Sequence, residues 1–212
     1  GTLDAGTVCA IMEEAILRHI PDAHITAVPM ADGGEGMVDA YLRVCGGRRV
    51  TAIVTGPLGT PVEAAYGLLP GGEAVVEMAA AAGLPLAWGD REVEARNPMI
   101  TTTRGVGELL LHAAAQGATR VILGLGGSAT NDGGIGMAAA LGYHFTDAAG
   151  GEVEPVGASL GEIVRIHPPP SLPPWKVKAA CDVDNPLCGP SGAAAVFGPP
   201  TGAAPAQVQP LD

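Results

Sequence analysis

Glycines and polar side chains are concentrated in one short stretch, residues 126–134. It follows the apolar run Val121–Leu125, which predicts a buried strand, and precedes a helical pattern that begins at Ile135 and stops at Gly142. Glycines let a ligand approach the backbone, and the first N–H groups of a helix have no partners of their own. The stretch therefore predicts an anion site. Its candidate binding residues are Gly126, Gly127, Ser128, Thr130, Asn131 and Gly133, with the carboxylate of Asp132 beside them.

The same stretch also fits an ordinary turn. Asp132 can serve as the N-cap of the following helix, and the glycines can form a tight turn. The pattern is neither a dinucleotide-binding GxGxxG nor a Walker A loop, which needs a lysine after its last glycine. The only lysines in the chain are Lys176 and Lys178, well beyond this loop. A phosphate bound here would have to be neutralised by another group.

A second glycine loop of the same kind lies near the beginning of the chain. The pattern D-G-G-x-G-M occurs at residues 32–37 and again at residues 132–137. The first copy lies between a predicted strand, Ile25–Met30, and a predicted helix, Met37–Val44. The flanking residues do not match well enough for an internal repeat. Two such loops at strand–helix junctions nevertheless favour a shared ligand site.

Three further segments carry side chains suited to ligand binding. Asp182 and Asp184 follow a predicted strand, Trp175–Cys181, and can hold a metal ion, although a solvated loop is the commoner role of such a pair. Arg104 begins a predicted helix after three threonines. Its planar guanidinium can bind a carboxylate or a phosphate, and it fits equally well a side chain that is simply exposed to solvent. Glu77 ends a predicted strand, where it either meets solvent or faces the site.

The order of elements predicts an α/β protein. Asp4 can cap a first helix with an apolar stripe, and a helix is also predicted from Arg104 through Gln116. Between them the strand-like runs are separated by Gly-Pro and Pro-Gly-Gly turns, which indicates an antiparallel meander and a domain boundary near residue 56. The glycine- and proline-rich stretch 189–204 predicts a loop. The meander strands are Val50–Thr55, Val62–Leu69 and Ala74–Met78.

Composition excludes several classes of function. The formal net charge of −11 argues against a nucleic-acid partner, because binding to a phosphate backbone requires clustered lysine and arginine. No apolar run approaches the ~20 residues of a membrane helix, and no secretion signal is visible. The four cysteines form no CxxC pair and have no zinc-type histidine spacing, which predicts reduced thiols in the cytoplasm.

Several segments together resemble the type I glycerate kinases. The ordered set spans almost all 212 residues, so it is much more specific than any single segment. The matching segments are PMADGGEGMV (29–38), VTGPLGTPV (54–62), VEMAAAAGL (76–84), NPMITTTRGVGELL (97–110), GGSATNDGGIGMAAALG (126–142), CDVDNPLCGPSGA (181–193) and FGPPTGA (197–203).

The resemblance implies a kinase that transfers the γ-phosphoryl group of ATP to D-glycerate, with Mg²⁺, to give 2-phosphoglycerate. It also implies two α/β domains, one Rossmann-like and built from both chain ends, the other inserted and containing a mixed sheet. Residues 1–56 would then begin the Rossmann-like domain without its first strand, and residues 57–212 would form the inserted domain. Family members begin before the position of Gly1 and continue past Asp212, so we expect most of the Rossmann-like half to be missing.

The chemistry of phosphoryl transfer suggests roles for the candidate residues. Asp132 would act as base for the glycerate hydroxyl or as a metal ligand. Asp32 and Glu35 would share the metal or the substrate, and Arg104 would hold the glycerate carboxylate. Glu77 is expected to face the site because of the resemblance. Thr201 stands where the family commonly has a lysine, which removes one positive charge.

Two other functions compete with the kinase. A truncated, non-catalytic fragment would keep the anion site without turnover. An NAD-dependent oxidoreductase is the weaker alternative, because no GxGxxG is followed by an acidic residue about 20 residues later. A homodimer is compatible with the resemblance, and no membrane partner is expected.

Overall fold

A computed structural model describes residues 3–31, 33–89, 92 and 96–212. In this part of the chain the helices are α1 (Ala5–His19), α2 (Met37–Cys45), α3 (Ala79–Ala82), α4 (Leu84–Trp88), α5 (Arg104–Ala115), α6 (Ile135–Ala140), α7 (Ala193–Thr201) and α8 (Pro205–Leu211). The strands are β1 (Arg48–Thr55), β2 (Pro61–Leu69), β3 (Glu73–Glu77), β4 (Arg120–Gly124), β5 (His144–Thr146), β6 (Arg165–His167) and β7 (Lys176–Ala180).

The centre of the fold is a mixed five-stranded sheet in the order β1-β2-β3-β4-β7. The first three strands form the predicted antiparallel meander, while β4 and β7 run parallel to β3. Strands β5 and β6 form a separate antiparallel pair. The predicted α/β class with a mixed sheet is therefore confirmed. Because β3, β4 and β7 are parallel, the loops that follow them emerge at the same edge of the sheet.

Both faces of the central strands are covered, as a parallel arrangement requires. Ala74 and Val76 of β3 belong to the core beneath α5, whereas Val75 between them packs with α2 on the opposite face. Few aromatic residues take part, so packing depends on close approach of the backbones. At Gly107 of α5 a Cβ atom would lie 2.4 Å from the Met137 carbonyl oxygen in α6. The two helices can touch there only because this residue is glycine.

The predicted domain boundary near residue 56 lies in the turn between β1 and β2. These strands pair from Arg48 opposite Leu68 to Thr55 opposite Pro61, so residues on both sides of the boundary belong to one sheet. The boundary therefore does not separate the strands of this sheet. The assignment of the two parts to a Rossmann-like and an inserted domain stays a prediction.

Helix α1 is capped as predicted but leaves its apolar stripe exposed. The Asp4 carboxylate accepts a 2.9 Å hydrogen bond from the Thr7 N–H, and no residue of the helix is buried. Val8, Ile11 and Met12 lie among its exposed apolar side chains. No helix in the described part of the chain is long and apolar enough to cross a membrane.

Two predicted elements differ from the structure. Residues 25–30 form neither a helix nor a strand, because an apolar run becomes a strand only where a ladder partner is available. The predicted loop 189–204 contains α7, whose alanines begin a helix and whose Pro199 and Pro200 lie in its last turn. There the Thr201 hydroxyl donates to the carbonyl oxygens of Phe197 and Gly198, and Gly202 ends the helix with φ +102°.

Candidate active site

A cavity of about 590 Å³ opens at the carboxyl edge of the parallel strands. The loops after β4 and β7 meet there, as expected for an α/β sheet, and helix α7 closes the other side. The cavity is lined by Gly34, Leu84, Leu125, Gly126, Gly127, Ser128, Thr130, Asn131, Cys181, Asp182, Val183, Ala193, Phe197, Pro200 and Thr201. Five of the six residues predicted to bind an anion are in this set; the sixth, Gly133, is exposed and outside it.

The two glycine loops touch each other at this cavity. The Gly126 N–H donates to the Gly33 carbonyl oxygen at 3.0 Å, and a Cβ at Gly126 would lie 2.7 Å from the Gly34 Cα. The loop after β4 is also tied to the α3–α4 junction, because Leu84 N–H donates to Gly127 and Ala129 N–H donates to Ala82. The site is therefore assembled from both copies of the motif, on a backbone held at several points.

The loop after β4 presents hydrogen-bond donors that the protein itself does not use. In the described structure, the backbone N–H groups of Gly127, Ser128 and Asn131 donate to no protein acceptor. The hydroxyls of Ser128 and Thr130 lie 2.7 Å apart, and Thr130 N–H donates to Ser128 Oγ. Gly127 has φ +73°, a conformation that turns successive N–H groups toward one side of the chain. Such a row of neutral donors is suited to an anion.

Asp132 lies behind this loop rather than in the cavity. Its side chain is 1% exposed and its carboxylate accepts four hydrogen bonds. Three reach Oδ2, from Thr103 N–H, Thr103 Oγ1–H and Gly136 N–H at 2.7, 2.8 and 3.2 Å; Gly134 N–H reaches Oδ1 at 3.0 Å. Its burial and contacts favour a structural role over the predicted role of base or metal ligand.

The N-terminus of α6 is consequently unavailable to a ligand. Its leading N–H groups donate within the protein: Gly136 to Asp132, and Met137 to the Thr103 hydroxyl oxygen at 2.8 Å. The sequence suggested that this helix end would bind the anion. The unused donors instead lie upstream, in the loop itself.

Glu77 accepts a hydrogen bond from the helix after the first glycine loop, as Asp132 does from the helix after the second. Its Oε1 accepts a 2.7 Å hydrogen bond from the Val38 N–H in the first turn of α2. Burial raises the pKa of the Glu77 carboxyl above its ordinary value, and hydrogen bonds from the Val38 and Gly36 N–H groups oppose that rise. Glu77 is not among the cavity-lining residues, so its observed contact is with a helix end rather than with the site.

The remaining predicted residues lie at different distances from the cavity. Asp182 lines it, while the exposed Asp184 and Glu35 do not. Arg104 is half-buried at the beginning of α5 and is also outside the lining. Asp32 falls outside the described residues. Among the described residues no group of three or more His, Cys, Asp or Glu side chains is arranged to hold a metal ion.

One wall of the cavity was not anticipated as part of a site. It consists of the apolar side chains of Val183, Phe197 and Pro200, beside the buried Thr201. Leu84 also lines the cavity, but it adjoins the loop after β4, because its N–H donates to the Gly127 carbonyl oxygen at 3.1 Å. In the sequence, Phe197 and Pro200 lie in FGPPTGA and Val183 lies in CDVDNPLCGPSGA. Both segments resembled the family, but neither predicted an apolar wall. No lysine or arginine is present among the described lining residues.

Comparison with known proteins identifies the family. The chain matches the group described as the Glycerate kinase family over residues 1–212. The chain belongs to this family. Similar curated relatives include a glycerate kinase from Bacillus subtilis (46% identical) and a glycerate 2-kinase from Escherichia coli (45%), each aligned over all of this chain and 55% of the relative.

A solved structure agrees with this family assignment. A Salmonella typhimurium LT2 protein, described provisionally as glycerate kinase 2, superposes with a TM-score of 0.86 at 43% identity. The alignment covers 99% of this chain and 56% of that one. This member of the glycerate kinase family thus spans about half the length of the relatives it matches.

Proposed function

We propose that this chain forms the nucleotide-phosphate-binding part of an ATP-dependent glycerate kinase. In the proposed reaction a hydroxyl oxygen of D-glycerate forms a bond to the γ-phosphorus of ATP. The bond from that phosphorus to the bridging oxygen breaks, ADP leaves with the electron pair, and the hydroxyl proton is released, giving 2-phosphoglycerate. Membership of the Glycerate kinase family supports the reaction class.

The observation that carries the proposal is the set of unused backbone donors at Gly127, Ser128 and Asn131. Phosphoryl transfer demands mainly positioning and stabilisation of charge on the phosphate oxygens. Neutral N–H groups on an anchored loop meet this demand without a P-loop lysine. The Ser128 and Thr130 hydroxyls add two adjustable groups at the same place.

The described cavity lining offers a magnesium ion one carboxylate, that of Asp182. Mg²⁺ is commonly held by one or two carboxylates together with substrate phosphates and water. Asp182 supplies a carboxylate on the cavity lining, and Asp184 follows on the same loop. Bound there, Mg²⁺ would neutralise phosphate charge, which the lining otherwise opposes because its described residues include a carboxylate and no lysine or arginine.

The other candidate roles remain part of the proposal with one change. We assign Asp132 to positioning the loop, because its carboxylate is saturated by internal donors. Asp32 and Glu35 stay candidates for contact with metal or substrate from the first loop. Arg104 stays a candidate for the glycerate carboxylate, since no hydrogen bond or ion pair of its guanidinium with the described chain is present.

Several features support the kinase and its setting. The relatives named above are called glycerate kinase or glycerate 2-kinase, which favours a kinase over a non-catalytic anion-binding fragment. All four cysteines are free, which suits a reducing compartment such as the cytoplasm. D-glycerate is the proposed small-molecule partner, and a homodimer stays an expectation to be measured by sedimentation.

An assay tests the proposal directly. The purified protein, its intact mass verified, is incubated with D-glycerate and Mg-ATP, and products are followed by ³¹P NMR. We expect ADP and 2-phosphoglycerate in equal amounts, and neither when glycerate is omitted. A folded protein that binds neither ATP nor glycerate and forms no ADP would contradict the proposal.

A further inference from the structure

The cavity has two chemically different sides. One side is the loop that carries the unused N–H groups of Gly127, Ser128 and Asn131. The other is the apolar wall, in which Phe197 of α7 is 39% exposed and turned to the lining. An aromatic ring and neighbouring aliphatic groups left beside a polar loop suit a ligand that is anionic at one end and flat and apolar at the other.

The volume of the cavity fits one of the two proposed substrates better than the other. A volume of about 590 Å³ is typical of cavities that enclose ligands much larger than a three-carbon acid. D-glycerate has almost no apolar surface to bury, so the wall of Val183, Phe197 and Pro200 would contribute nothing to its binding. A purine nucleotide can use both sides of the cavity.

We propose that this cavity is the nucleotide subsite, with the purine ring against Phe197 and the phosphates on the loop after β4, and that D-glycerate binds outside it. The identification of the ligand as ATP rests on the proposed function. Two of the polar side chains beside the wall are engaged within the protein: the Thr201 hydroxyl donates to Phe197 and Gly198, and the Cys181 thiol donates to Val183.

Weak discrimination between purines follows from this arrangement. The side chains of the wall itself, Val183, Phe197 and Pro200, carry no hydrogen-bond donor or acceptor, and an apolar surface distinguishes poorly between rings of the same shape. ATP and GTP should therefore bind with affinities within about tenfold of each other. Loss of the Phe197 ring should weaken both by about tenfold, the lower range of base–aromatic stacking.

Calorimetric binding tests the assignment without relying on turnover. Mg-ATP, Mg-GTP and Mg-triphosphate, which has no base, are titrated into wild type and Phe197→Ala. The matched control is Val196→Ala, because Val196 lies on the same helix, is 41% exposed and does not line the cavity. We expect Phe197→Ala to weaken both nucleotides and leave triphosphate unchanged, and Val196→Ala to change none of them. Phe197→Leu, which keeps an apolar side chain without the ring, replaces Phe197→Ala if that variant melts early.

Other outcomes would overturn the assignment. Competition between D-glycerate and Mg-ATP would place glycerate in the cavity. Phe197→Ala could weaken nucleotide and triphosphate equally, or Phe197→Ala and Val196→Ala could have equal effects. Either result would show that the base does not bind against the wall. A failure of all nucleotides to bind would contradict the assignment as well. Nucleotide binding with the expected pattern but without phosphoryl transfer to glycerate would instead contradict the proposed function and leave the subsite standing.

Discussion

At the scale of single residues, Asp132 joins two helices that are distant in sequence. Its Oδ2 accepts from Thr103 at the beginning of α5 and from Gly136 in α6. A buried carboxylate with this many donors is costly to alter, because its removal leaves several N–H groups without acceptors. The residue thereby holds the loop after β4 in place from behind.

We expect Asp132→Asn to lower the free energy of unfolding by about 2–4 kcal/mol, since an amide nitrogen would face donors where a carboxylate oxygen now accepts. Urea unfolding measures the change. Asp182→Asn is the control, because Asp182 is exposed and should alter stability by less than about 0.5 kcal/mol. Wild-type stability of Asp132→Asn combined with loss of phosphoryl transfer would restore the role of base.

Glu77 links two elements rather than contacting the cavity, and its titration should show it. Because burial raises its pKa in the folded chain, the folded state keeps this proton to higher pH than the unfolded state. Its contribution to stability is therefore greatest below the ordinary value of 4.5 and declines as pH rises through the raised pKa.

Glu77→Gln should remove that decline while keeping an oxygen acceptor for the Val38 N–H. The difference in unfolding free energy between wild type and Glu77→Gln, measured in urea from pH 4 to 8, should move in favour of the glutamine as pH rises. Glu77→Ala, which removes the acceptor, should be about 1–2 kcal/mol less stable than Glu77→Gln at every pH. A pH-independent difference between wild type and Glu77→Gln would contradict this account.

At the scale of elements, the contact between α5 and α6 depends on one glycine. We expect Gly107→Ala to lower the free energy of unfolding by about 1–3 kcal/mol, because the new Cβ would meet the Met137 carbonyl at 2.4 Å and the Ala140 Cβ at 2.7 Å. Thermal or urea unfolding measures the loss. Gly161→Ala is the control, since nothing lies within 4 Å of its Cβ position. Equal effects of the two substitutions would show that the helices can separate freely.

At the scale of the whole molecule, ligand binding should be coupled to magnesium. The described cavity lining contains Asp182 and no lysine or arginine, and the chain has a net charge of −11, so free ATP meets a repulsive surface. Mg-ATP at 100 times its dissociation constant should stabilise the fold by about 2.7 kcal/mol. ATP with EDTA should give much less, as measured by the shift in melting temperature.

Asp182→Asn tests whether the Asp182 carboxylate causes the dependence of ATP binding on Mg²⁺. Removing the carboxylate should weaken Mg-ATP binding and improve binding of ATP with EDTA, because the same charge attracts the ion and repels the phosphates. Equal stabilisation of wild type by ATP with and without Mg²⁺ would show that the cavity neutralises phosphate by other means.

Much of the fold could be predicted because local patterns encode it. The strand-like runs and the Gly-Pro and Pro-Gly-Gly turns between them predicted the antiparallel meander. Asp4 predicted the beginning of α1, since capping involves only neighbouring residues. Residues 25–30 and helix α7 were predicted wrongly, because a strand needs a distant partner and Pro199 and Pro200 are tolerated in a last turn closed by Thr201.

The sequence by itself determined the family, the α/β class and the position of the glycine loop after β4, because each depends on residue types at fixed spacing. Only the tertiary structure decided which groups face a ligand. Asp132 accepts hydrogen bonds from Thr103, which lies 29 residues earlier in the chain. Glu77 accepts one from Val38, which lies 39 residues earlier. Phe197 of α7 and Gly127 of the loop after β4 line the same cavity, at the edge where the paired strands β4 and β7 end. Such contacts depend on how distant segments pack, which no local pattern specifies.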